Sequence, residues 1–261
     1  MTSDGKPVAV VTGGSRGIGR GIAERLAQDG YNLLLVASNS EHLDAAKAAI
    51  EAGSKSKVET FATDLRKEGS GVAVLEALMQ SFGRADVLVN CAGATKGGRF
   101  LEQDEAIWQD GFALKFFGAV RVCRALWPEL VKAHGTVVNI VGGFARKPSA
   151  DFMIGGAVNA ALANFSKALA EQGIRDDVNV NAIHPGVTRS ERMNEIIATR
   201  SRLEGVSEDE IRENLAREEG IRRVGEPGDV AALVAFLCRP EARHIQGTAI
   251  AIDGGTNRCV Y

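Results

Sequence analysis

The chain has 261 residues, of which 45% are hydrophobic and 25% charged, with a formal net charge of −2 at pH 7. This composition is typical of a globular protein, and the nearly neutral charge argues against nucleic acid or an anionic membrane as the main partner. The four cysteines (Cys91, Cys123, Cys238 and Cys259) are dispersed without a CxxC pair, so the sequence indicates neither a zinc site nor a disulfide framework.

The N-terminal residues show no targeting segment. Residues 1–14 are too polar and too rich in glycine for a signal peptide, and no apolar run in the chain reaches transmembrane length. We therefore expect a cytoplasmic protein that acts on a small molecule, with neither nucleic acid nor a membrane as its partner.

Short apolar runs alternate with longer amphipathic stretches along the whole chain. Several runs are continuously apolar, which is typical of strands buried on both faces of a parallel sheet. The amphipathic stretches include residues 17–29, 40–51 and 104–133. This alternation predicts one α/β domain over residues 1–261, a Rossmann-like doubly wound parallel sheet flanked by helices. The strand-like runs are "PVAVVTG", "NLLLVAS", "VETFATD", "ADVLVNCAG", "GTVVNIVGG", "VNVNAIHPG" and "TAIAIDGG".

A glycine-rich turn joins the first strand to the first helix. In "VAVVTGGSRGIGRGIAERLA", the residues Gly13, Gly17 and Gly19 lie between the two elements. Glycine permits a tight turn and lets backbone N–H groups approach a pyrophosphate at the helix N-terminus. Such a motif can be no more than a turn, but its place between a strand and a helix favours nucleotide binding.

The run TGGSRGIG, with its TGxxxGIG spacing, resembles the short-chain dehydrogenase/reductase family. Four further matches follow in the family's order: Asp64 in "ATDL", the NCAG run that begins at Asn90, the Pro185-Gly186 pair, and the ending "GEPGDVAALVAFLCRPEARHIQGTAIAIDGG". Together they cover about the whole chain. The resemblance implies an oxidoreductase with a single NAD(P)-binding Rossmann-fold domain, assembled as a homotetramer or homodimer through the long helices 104–133 and 151–172.

The resemblance also implies roles for individual residues. Asp64 would lie against the adenine, the NCAG run would line the cofactor cleft, and Thr188 would reach the nicotinamide amide. Asp64 could instead cap a loop, and Asn90 could instead form a hydrogen bond within the sheet. The predicted cofactor-binding residues are Gly13, Ser15, Arg16, Gly17, Ile18, Gly19, Ser38, Asn39, Asp64, Leu65, Asn90, Ala92, Gly93, Pro185, Gly186 and Thr188.

The end of the second strand bears on the choice of cofactor. An acidic residue there would accept hydrogen bonds from a ribose 2′-OH and repel a 2′-phosphate. The sequence has Ala37 at this position, followed by Ser38 and Asn39, which can both form hydrogen bonds. Arg16 could pair with a phosphate through its guanidinium group, although it could also be a solvated loop charge. The pattern favours NADP(H) over NAD(H).

The family's catalytic residues are missing from their expected positions. By resemblance, a serine follows the fifth strand, a tyrosine with a lysine four residues later lies on the next helix, and an asparagine lies on the preceding helix. Anchoring on "VVNIVGG" places the serine position at Gly142, the tyrosine position at Gly155 and the lysine position at Asn159. Anchoring on "IWQDGFALKFFGAVRV" places Lys115 where the asparagine belongs.

The composition excludes a slipped alignment. The chain has two tyrosines, Tyr31 and Tyr261, and neither begins a YxxxK motif. Lys167 is the only lysine between residues 151 and 170, and Ala163 lies four positions before it. The tyrosine–lysine pair is therefore absent, and a contribution of Tyr261 from a neighbouring subunit is one remaining alternative.

The segment "DFMIGGAVNAALANFSKALA" predicts a helix over residues 151–170. Gly155 and Asn159 lie one turn apart on the face that the family turns towards its active site. Glycines cost least in a first turn, so one interpretation is a frayed or displaced helix start. The other is that the missing aromatic ring opens space for a substrate or for another catalytic group. The expected core stripe of this helix is Val158, Leu162, Phe165 and Leu169.

Several polar residues could line the emptied site. Lys115 is the strongest candidate, because an ammonium group in a partly buried cleft can have a depressed pKa and act as acid, base or oxyanion partner. It could also be a salt-bridged helix residue. Arg146 and Lys147 could bind a substrate anion or lie in a solvated loop, and His184 could be a buried structural histidine. The candidates are Lys115, Arg146, Lys147, Asp151, Asn159 and His184, of which Lys115 and Asn159 are predicted as catalytic.

Three functions remain open from the sequence. The first is an NADP(H)-dependent oxidoreductase acting on a carbonyl or alcohol with a rebuilt proton-transfer group. The second is cofactor binding without catalysis, as a sensor or as a partner subunit, and the third is a non-redox lyase or isomerase reaction in the same cleft. For each, the charged, helix-prone residues 188–220 could form a lid over the crevice at the carboxyl ends of the strands.

Overall fold

A computed structural model describes residues 5–258 of the chain, without the side chains of residues 191, 192, 195 and 196, so Cys259 and Tyr261 lie outside the described residues. Parallel strands alternate with helices, and each strand pairs with its neighbours in regular register. The strands are β1 (Val8–Thr12), β2 (Asn32–Ala37), β3 (Val58–Ala62), β4 (Val87–Asn90), β5 (Thr136–Ile140), β6 (Asn179–Pro185) and β7 (Ala249–Ile252).

These strands form a single sheet of seven in the order β3-β2-β1-β4-β5-β6-β7. The doubly wound parallel sheet expected from the sequence is confirmed. The strand order reverses between β1 and β4, and in open α/β sheets a ligand binds at the carboxyl ends of the strands beside this reversal. The fold therefore places the crevice at the ends of β1 and β4.

Helices cover both faces of the sheet. On one face α1 packs against α9, and on the other α3 packs against α5, with α6 alongside. The helices are α1 (Gly17–Gln28), α2 (Ser40–Gly53), α3 (Ser70–Ser81), α4 (Glu105–Gly111), α5 (Gly118–Lys132), α6 (Met153–Asp176), α7 (Glu191–Glu204), α8 (Glu208–Glu219) and α9 (Pro227–Leu237).

The continuously apolar strands are explained by these two cores. In β1, Val8 and Val10 pack into the core beneath α3, α5 and α6, whereas Ala9 and Val11 pack into the core beneath α1, α2 and α9. Successive side chains of a strand point to opposite faces, so a strand covered on both sides has no polar face to show.

The stretch 104–133 is helical from Glu105, but it is not one regular α-helix. A π-helical segment, Phe112–Phe117, separates α4 from α5 and carries Lys115. Such widened turns inside α-helices are often found at functional sites.

The helix predicted over residues 151–170 begins later and ends later than expected. A 3₁₀ turn over Ala150–Phe152 precedes α6, which runs from Met153 to Asp176. Gly155 therefore lies in the first turn, where glycine costs least, as the displaced-start interpretation requires. Within the expected stripe, Val158 and Leu162 are buried, whereas Phe165 and Leu169 are only half-buried.

The segment 188–220 forms α7 and α8 directly after β6. Ser190 caps α7 and Ser207 caps α8, and each helix ends at a left-handed glycine. Within residues 5–258, no helix is long and apolar enough to cross a bilayer. The side chains that the structure describes include no cluster of three or more His, Cys, Asp or Glu that could hold a metal ion.

Candidate active site

The glycine-rich turn after β1 depends on close backbone contacts. Gly13 has a φ of +67°, and a Cβ atom there would lie 2.9 Å from the Cα of Ala92. A Cβ atom on Gly19 would lie 2.2 Å from the carbonyl oxygen of Gly13. The hydroxyl of Thr12 accepts hydrogen bonds from the backbone N–H groups of Cys91 and Ala92, at 3.1 and 3.2 Å. The turn therefore lies directly against the end of β4, with the N-terminus of α1 facing the crevice.

A cleft of about 570 Å³ opens at this point. Most of the predicted cofactor residues line it: Gly13, Ser15, Arg16, Ile18, Gly19, Ser38, Asp64, Leu65, Ala92, Gly93, Pro185 and Gly186. The cleft is also lined by Thr63, Arg66 and Leu114, which the sequence motifs did not predict as cofactor-binding residues. Thr63 is next to Asp64 at the end of β3, so its position could have been inferred from that motif.

The other predicted cofactor residues lie outside the lining of this cleft. Gly17 begins α1, and the side chain of Asn39 caps α2 by accepting from the N–H of His42 at 2.8 Å. Asn90 is buried in the sheet, where its Nδ2 donates to Oδ1 of Asn139 at 2.8 Å. The side-chain contacts of Asn90 are therefore those of its alternative role, a hydrogen bond within the sheet. Thr188 lines an adjoining cavity, and its hydroxyl donates to the carbonyl of Gly186 at 3.1 Å.

The charged groups of the cleft include Asp64, Arg66 and Arg16. Burial acts to raise the pKa of Asp64, but hydrogen bonds from the backbone and side chain of Arg66 outweigh it and lower that pKa. Arg66 also pairs with Asp110 at 2.6 Å, so its charge is already balanced. Arg16 is exposed at the glycine turn and forms no ion pair or side-chain hydrogen bond with another described side chain. Arg16 is therefore an exposed cation of the cleft that has no anionic partner in the described part of the chain.

Lys115 lies where the cleft meets a second cavity of about 350 Å³, and it lines both. Its Nζ donates to the carbonyl oxygen of Val141. A Cβ atom on Gly93 would lie 2.9 Å from Cδ of Lys115, so the glycine makes room for the lysine side chain. Lys115 forms no salt bridge with any described residue, which contradicts the alternative of a salt-bridged helix position.

The surroundings of Lys115 change its acidity. Burial lowers the pKa of Lys115 to about 8, and the nearby thiol of Cys91 acts weakly in the opposite direction. An ammonium group of this pKa is present at neutral pH and can release its proton more readily than an exposed lysine. Because an ammonium group has three donors and Val141 takes one, further donors remain for a ligand.

Asn159 lines the second cavity and is only 4% exposed. Its Oδ1 is buried and has no hydrogen-bond partner among the described residues. Gly142, which occupies the family's serine position, has a φ of +120°, and a Cβ atom there would lie 2.8 Å from Nδ2 of Asn159. A serine at 142 would therefore be strained by its backbone and would collide with the amide of Asn159. Glycine at the family's serine position and asparagine at its lysine position are thus sterically linked.

The position of the missing tyrosine is filled. A Cβ atom on Gly155 would lie 1.8 Å from Cε1 of Phe152, because the Phe152 ring occupies the space where a side chain at 155 would begin. Phe152 packs in turn against Phe144, with ring centroids 4.8 Å apart and ring planes inclined by 47°. Where a side chain at 155 would begin there is therefore a ring rather than an opening, and the same ring lines the second cavity.

The remaining polar candidates are engaged elsewhere. Nη2 of Arg146 donates to the carbonyl of Ala249 at 3.1 Å, and Lys147 pairs with Glu219 of α8 at 3.0 Å, so neither is a freely solvated loop charge. Lys147 lines the second cavity, whereas Arg146 does not. Asp151 is exposed and does not line the cavity either. Its backbone carbonyl accepts a hydrogen bond from the N–H of Gly98.

His184 is 2% exposed and lies beneath the site rather than in its lining. Its Nδ1 lies 2.9 Å from the carbonyl oxygen of Gly142, so Nδ1 carries the proton and donates. Burial lowers the pKa of His184, and the charges of Arg146 and Lys115 act in the same direction. A neutral imidazole supporting the backbone at Gly142 agrees with the structural role considered for this residue.

The comparisons with known proteins agree with this architecture. A family model described as enoyl-(acyl carrier protein) reductase matches residues 13–257. The 3-oxoacyl-[acyl-carrier-protein] reductase FabG of Staphylococcus epidermidis is 30% identical over 253 residues, which cover 95% of this chain and 97% of FabG. The L-sorbose reductase of Gluconobacter frateurii, solved with NADPH and L-sorbose, is 31% identical with a TM-score of 0.94 and covers 98% of both chains.

A third solved structure also has a similar fold. An NADPH-bound short-chain oxidoreductase of Pseudomonas aeruginosa PAO1, described as containing an atypical catalytic centre, is 29% identical with a TM-score of 0.88. The likeness covers 97% of this chain and 98% of that one. NADPH is the reduced form of the cofactor that the sequence favours. It is bound in the structures of the Pseudomonas oxidoreductase and of the sorbose reductase. The resemblance suggested by the glycine turn and the later motifs is confirmed, and the chain belongs to the short-chain dehydrogenase/reductase family.

Proposed function

We propose that the protein is an NADPH-dependent reductase that transfers a hydride to the carbonyl group of a small molecule, with Lys115 in place of the missing tyrosine as proton donor. The observation that carries this proposal is the position of Lys115. It is the one ionisable group, among the described residues, that lines both the cleft and the second cavity. A carbonyl oxygen at the junction of the two cavities would face its ammonium group.

The residues of the cleft fit NADPH. A Cβ atom at Gly13 or Gly19 would intrude into the turn, so the backbone stays open to a pyrophosphate at the N-terminus of α1. Arg16 has no anionic partner among the described side chains, and Ala37 brings no carboxylate to the end of β2. Both features suit a 2′-phosphate, and the sorbose reductase and the Pseudomonas oxidoreductase are each solved with NADPH. When bound, the cofactor would supply the hydride.

The protein supplies the proton and the orientation. Lys115 holds its Nζ in place by donating to Val141, and its remaining N–H groups can donate to the substrate oxygen. Because burial lowers its pKa to about 8, Lys115 can pass a proton to the oxygen as negative charge develops there and regain one from solvent. The buried Oδ1 of Asn159, which has no partner among the described residues, can accept a hydrogen bond from the hydroxyl that the substrate oxygen becomes.

The proposal is tested by following NADPH oxidation with purified protein and a panel of ketones and aldehydes. We expect steady turnover in which one alcohol forms for each NADPH consumed. If NADPH binds and no carbonyl compound is reduced, the protein is a cofactor sensor or an inactive partner subunit. If a compound is transformed while NADPH remains unchanged, the reaction is a lyase or isomerase reaction.

Replacing Arg16 with alanine should weaken NADPH binding by about 10- to 100-fold, because a charge-assisted hydrogen bond contributes about 1.5–3 kcal/mol. NADH, which has no 2′-phosphate, should bind equally well before and after the change. The measurement is a calorimetric titration of both variants with both cofactors. Arg20→Ala is the matched control, since this neighbouring arginine is already paired with Glu24 at 2.8 Å. Equal weakening of NADPH and NADH would contradict the assignment of Arg16 to the phosphate.

We also propose that the protein assembles as a homodimer or homotetramer through α5 and α6. An apolar groove of about 360 Å³ lies between these helices, lined by Trp127, Phe165 and Leu169 among others. Half-buried aromatic and aliphatic side chains of this kind gain from being covered by a second copy. Light scattering should give the mass of two or four chains, and Leu169→Lys should shift the mass towards that of one chain.

Residues 188–220 are proposed as a lid. Met193 of α7 and Glu219 of α8 line the second cavity, and Glu219 is joined to Lys147 across its mouth. An ion pair between half-exposed groups is weak, so it can break when a substrate enters or a product leaves.

A further inference from the structure

We infer that the second cavity takes a planar aromatic ketone and that Phe152 is the residue that selects it. This inference rests on the proposed function, because it concerns the substrate of the same site. It goes further in that it assigns a binding role to the ring that replaces the missing tyrosine.

Phe152 is held in place from three sides. The first turn of α6 lies against it at Gly155, where any side chain would overlap the ring. The loop after β4 lies against it at Gly97, where a Cβ atom would be 3.4 Å from Cδ2 of Phe152. The Phe144 ring from the loop after β5 contacts it with centroids 4.8 Å apart. The backbone beside it is fixed by the N–H of Gly98, which donates to the carbonyl of Asp151 at 2.9 Å. The ring is therefore a fixed wall rather than a mobile surface side chain.

The second cavity is lined by both apolar and polar side chains. Phe144, Phe152 and Met193 are among the apolar ones, and Lys115, which also lines the cleft, is among the polar ones. A ligand that uses both kinds of contact has a flat apolar body against the rings and a carbonyl group directed at Lys115. Tilted or offset contacts between aromatic rings add affinity beyond that of the buried area, by roughly tenfold at most.

Asn159 supplies an independent indication that a ligand belongs here. Its side chain is 4% exposed, and its Oδ1 has no partner within the described residues. A buried acceptor without a partner is costly, and the cost is removed when a ligand donates to it. The hydroxyl formed on reduction can donate to Oδ1, whereas the ketone oxygen, itself an acceptor, would be held by Lys115. The hydride comes from the cofactor, the proton comes from Lys115, and the ketone becomes an alcohol.

The same cavity also has polar side chains, among them Thr95, Thr188 and Asp253, so a polyol is the alternative that the test has to exclude. The paired rings of Phe144 and Phe152 favour a flat apolar body, and L-sorbose, the ligand of a similar reductase, is therefore the comparison substrate.

The test compares 1-tetralone with 1-decalone, which share one bicyclic skeleton and one carbonyl position and differ in the aromatic ring. Dissociation constants are measured calorimetrically with the NADP⁺-loaded protein, so the outcome does not depend on turnover. We expect wild-type protein to bind 1-tetralone about tenfold more tightly, and Phe152→Leu to reduce this preference to less than about twofold. Phe100→Leu is the control, because Phe100 is 59% exposed and does not line the cavity, and it should leave both constants unchanged.

The steady-state kcat/KM of the same variants completes the experiment, with L-sorbose as a third substrate. In a reductase, Phe152→Leu should lower kcat/KM for 1-tetralone and leave that for 1-decalone within about twofold. Equal binding of the two ketones by wild-type protein, an equal loss in Phe152→Leu, or preferred turnover of L-sorbose would overturn the inference. Selective binding of 1-tetralone without any NADPH oxidation would support the aromatic cavity while refuting the proposed reductase.

Discussion

Replacing Lys115 with methionine should lower the rate of NADPH-dependent carbonyl reduction by about 10²- to 10⁴-fold, the range contributed by a positioned acid or base. Methionine keeps the length and apolar stem of lysine but has no proton to give. NADPH affinity should change little, because the cofactor residues of the glycine turn are untouched. The measurements are single-turnover NADPH oxidation and a calorimetric NADPH titration of the same protein.

Two further variants test whether the rate depends on Lys115 in particular and on its proton rather than its charge. Lys167 of α6 also donates its Nζ to a backbone carbonyl, that of Gly247 at 3.0 Å, but it is exposed and lines neither cavity, so Lys167→Met should retain the wild-type rate. Lys115→Arg keeps the positive charge, but a guanidinium group does not release its proton, so the rate should stay low. Recovery of the rate in Lys115→Arg would show that charge alone is sufficient and would refute proton donation.

The pH dependence of the reaction follows from the same group. Burial lowers the pKa of Lys115 from 10.5 to about 8, so its ammonium form predominates below that pH and its amine form above it. Since reduction needs the ammonium form, kcat should be level at neutral pH and fall through about pH 8. In alcohol oxidation the amine is the required form, so the rate should rise through the same region. A reduction rate that is independent of pH between 7 and 10 in the wild type would contradict the assignment.

The sequence predicted the strands, the sheet and the position of the glycine-rich turn. The seven strands, their parallel arrangement and the glycine turn are local patterns: continuous apolar runs, strand–helix alternation and glycines at fixed spacing. The cleft lining follows from them, because residues such as Asp64 and Gly93 come directly after the carboxyl ends of β3 and β4, at the same edge of the sheet. Lys115 was found because it replaces a residue at a recognisable position of a helix.

What could not be predicted depends on contacts between distant parts of the chain. That Phe152 fills the space at Gly155 follows from a 3₁₀ turn before α6 and from the loop at Gly97, neither of which has a sequence signal of its own. Asn39 and Asn90 were expected in the cofactor cleft, but their amides are bound by a helix terminus and by another strand. Local sequence patterns predict where the backbone of a residue lies, whereas the direction of its side chain depends on residues that are distant in the chain.

Replacing Gly19 with alanine should destabilise the protein by about 2–3 kcal/mol and weaken NADPH binding by about 10- to 150-fold. The added Cβ atom would lie 2.2 Å from the carbonyl oxygen of Gly13, and this neighbour is backbone, so no side-chain rotation can relieve the overlap. Overpacking of this kind typically costs 1–3 kcal/mol, and moving the turn removes at least one N–H from a bound phosphate, which costs about 1.5–3 kcal/mol in affinity. Urea unfolding and NADPH titration measure the two effects.

Gly53→Ala distinguishes this steric effect from the general cost of replacing glycine. Gly53 is the last residue of α2, and a Cβ atom there would have no heavy atom within 4 Å. Alanine is the better helix former and reduces the freedom of the unfolded chain, so this variant should be as stable as the wild type or up to about 1 kcal/mol more stable, with unchanged NADPH affinity. If Gly19→Ala behaved like Gly53→Ala, the turn would be free to move. The close approach of α1 to Gly13 would then not be what shapes the phosphate-binding end of the cleft.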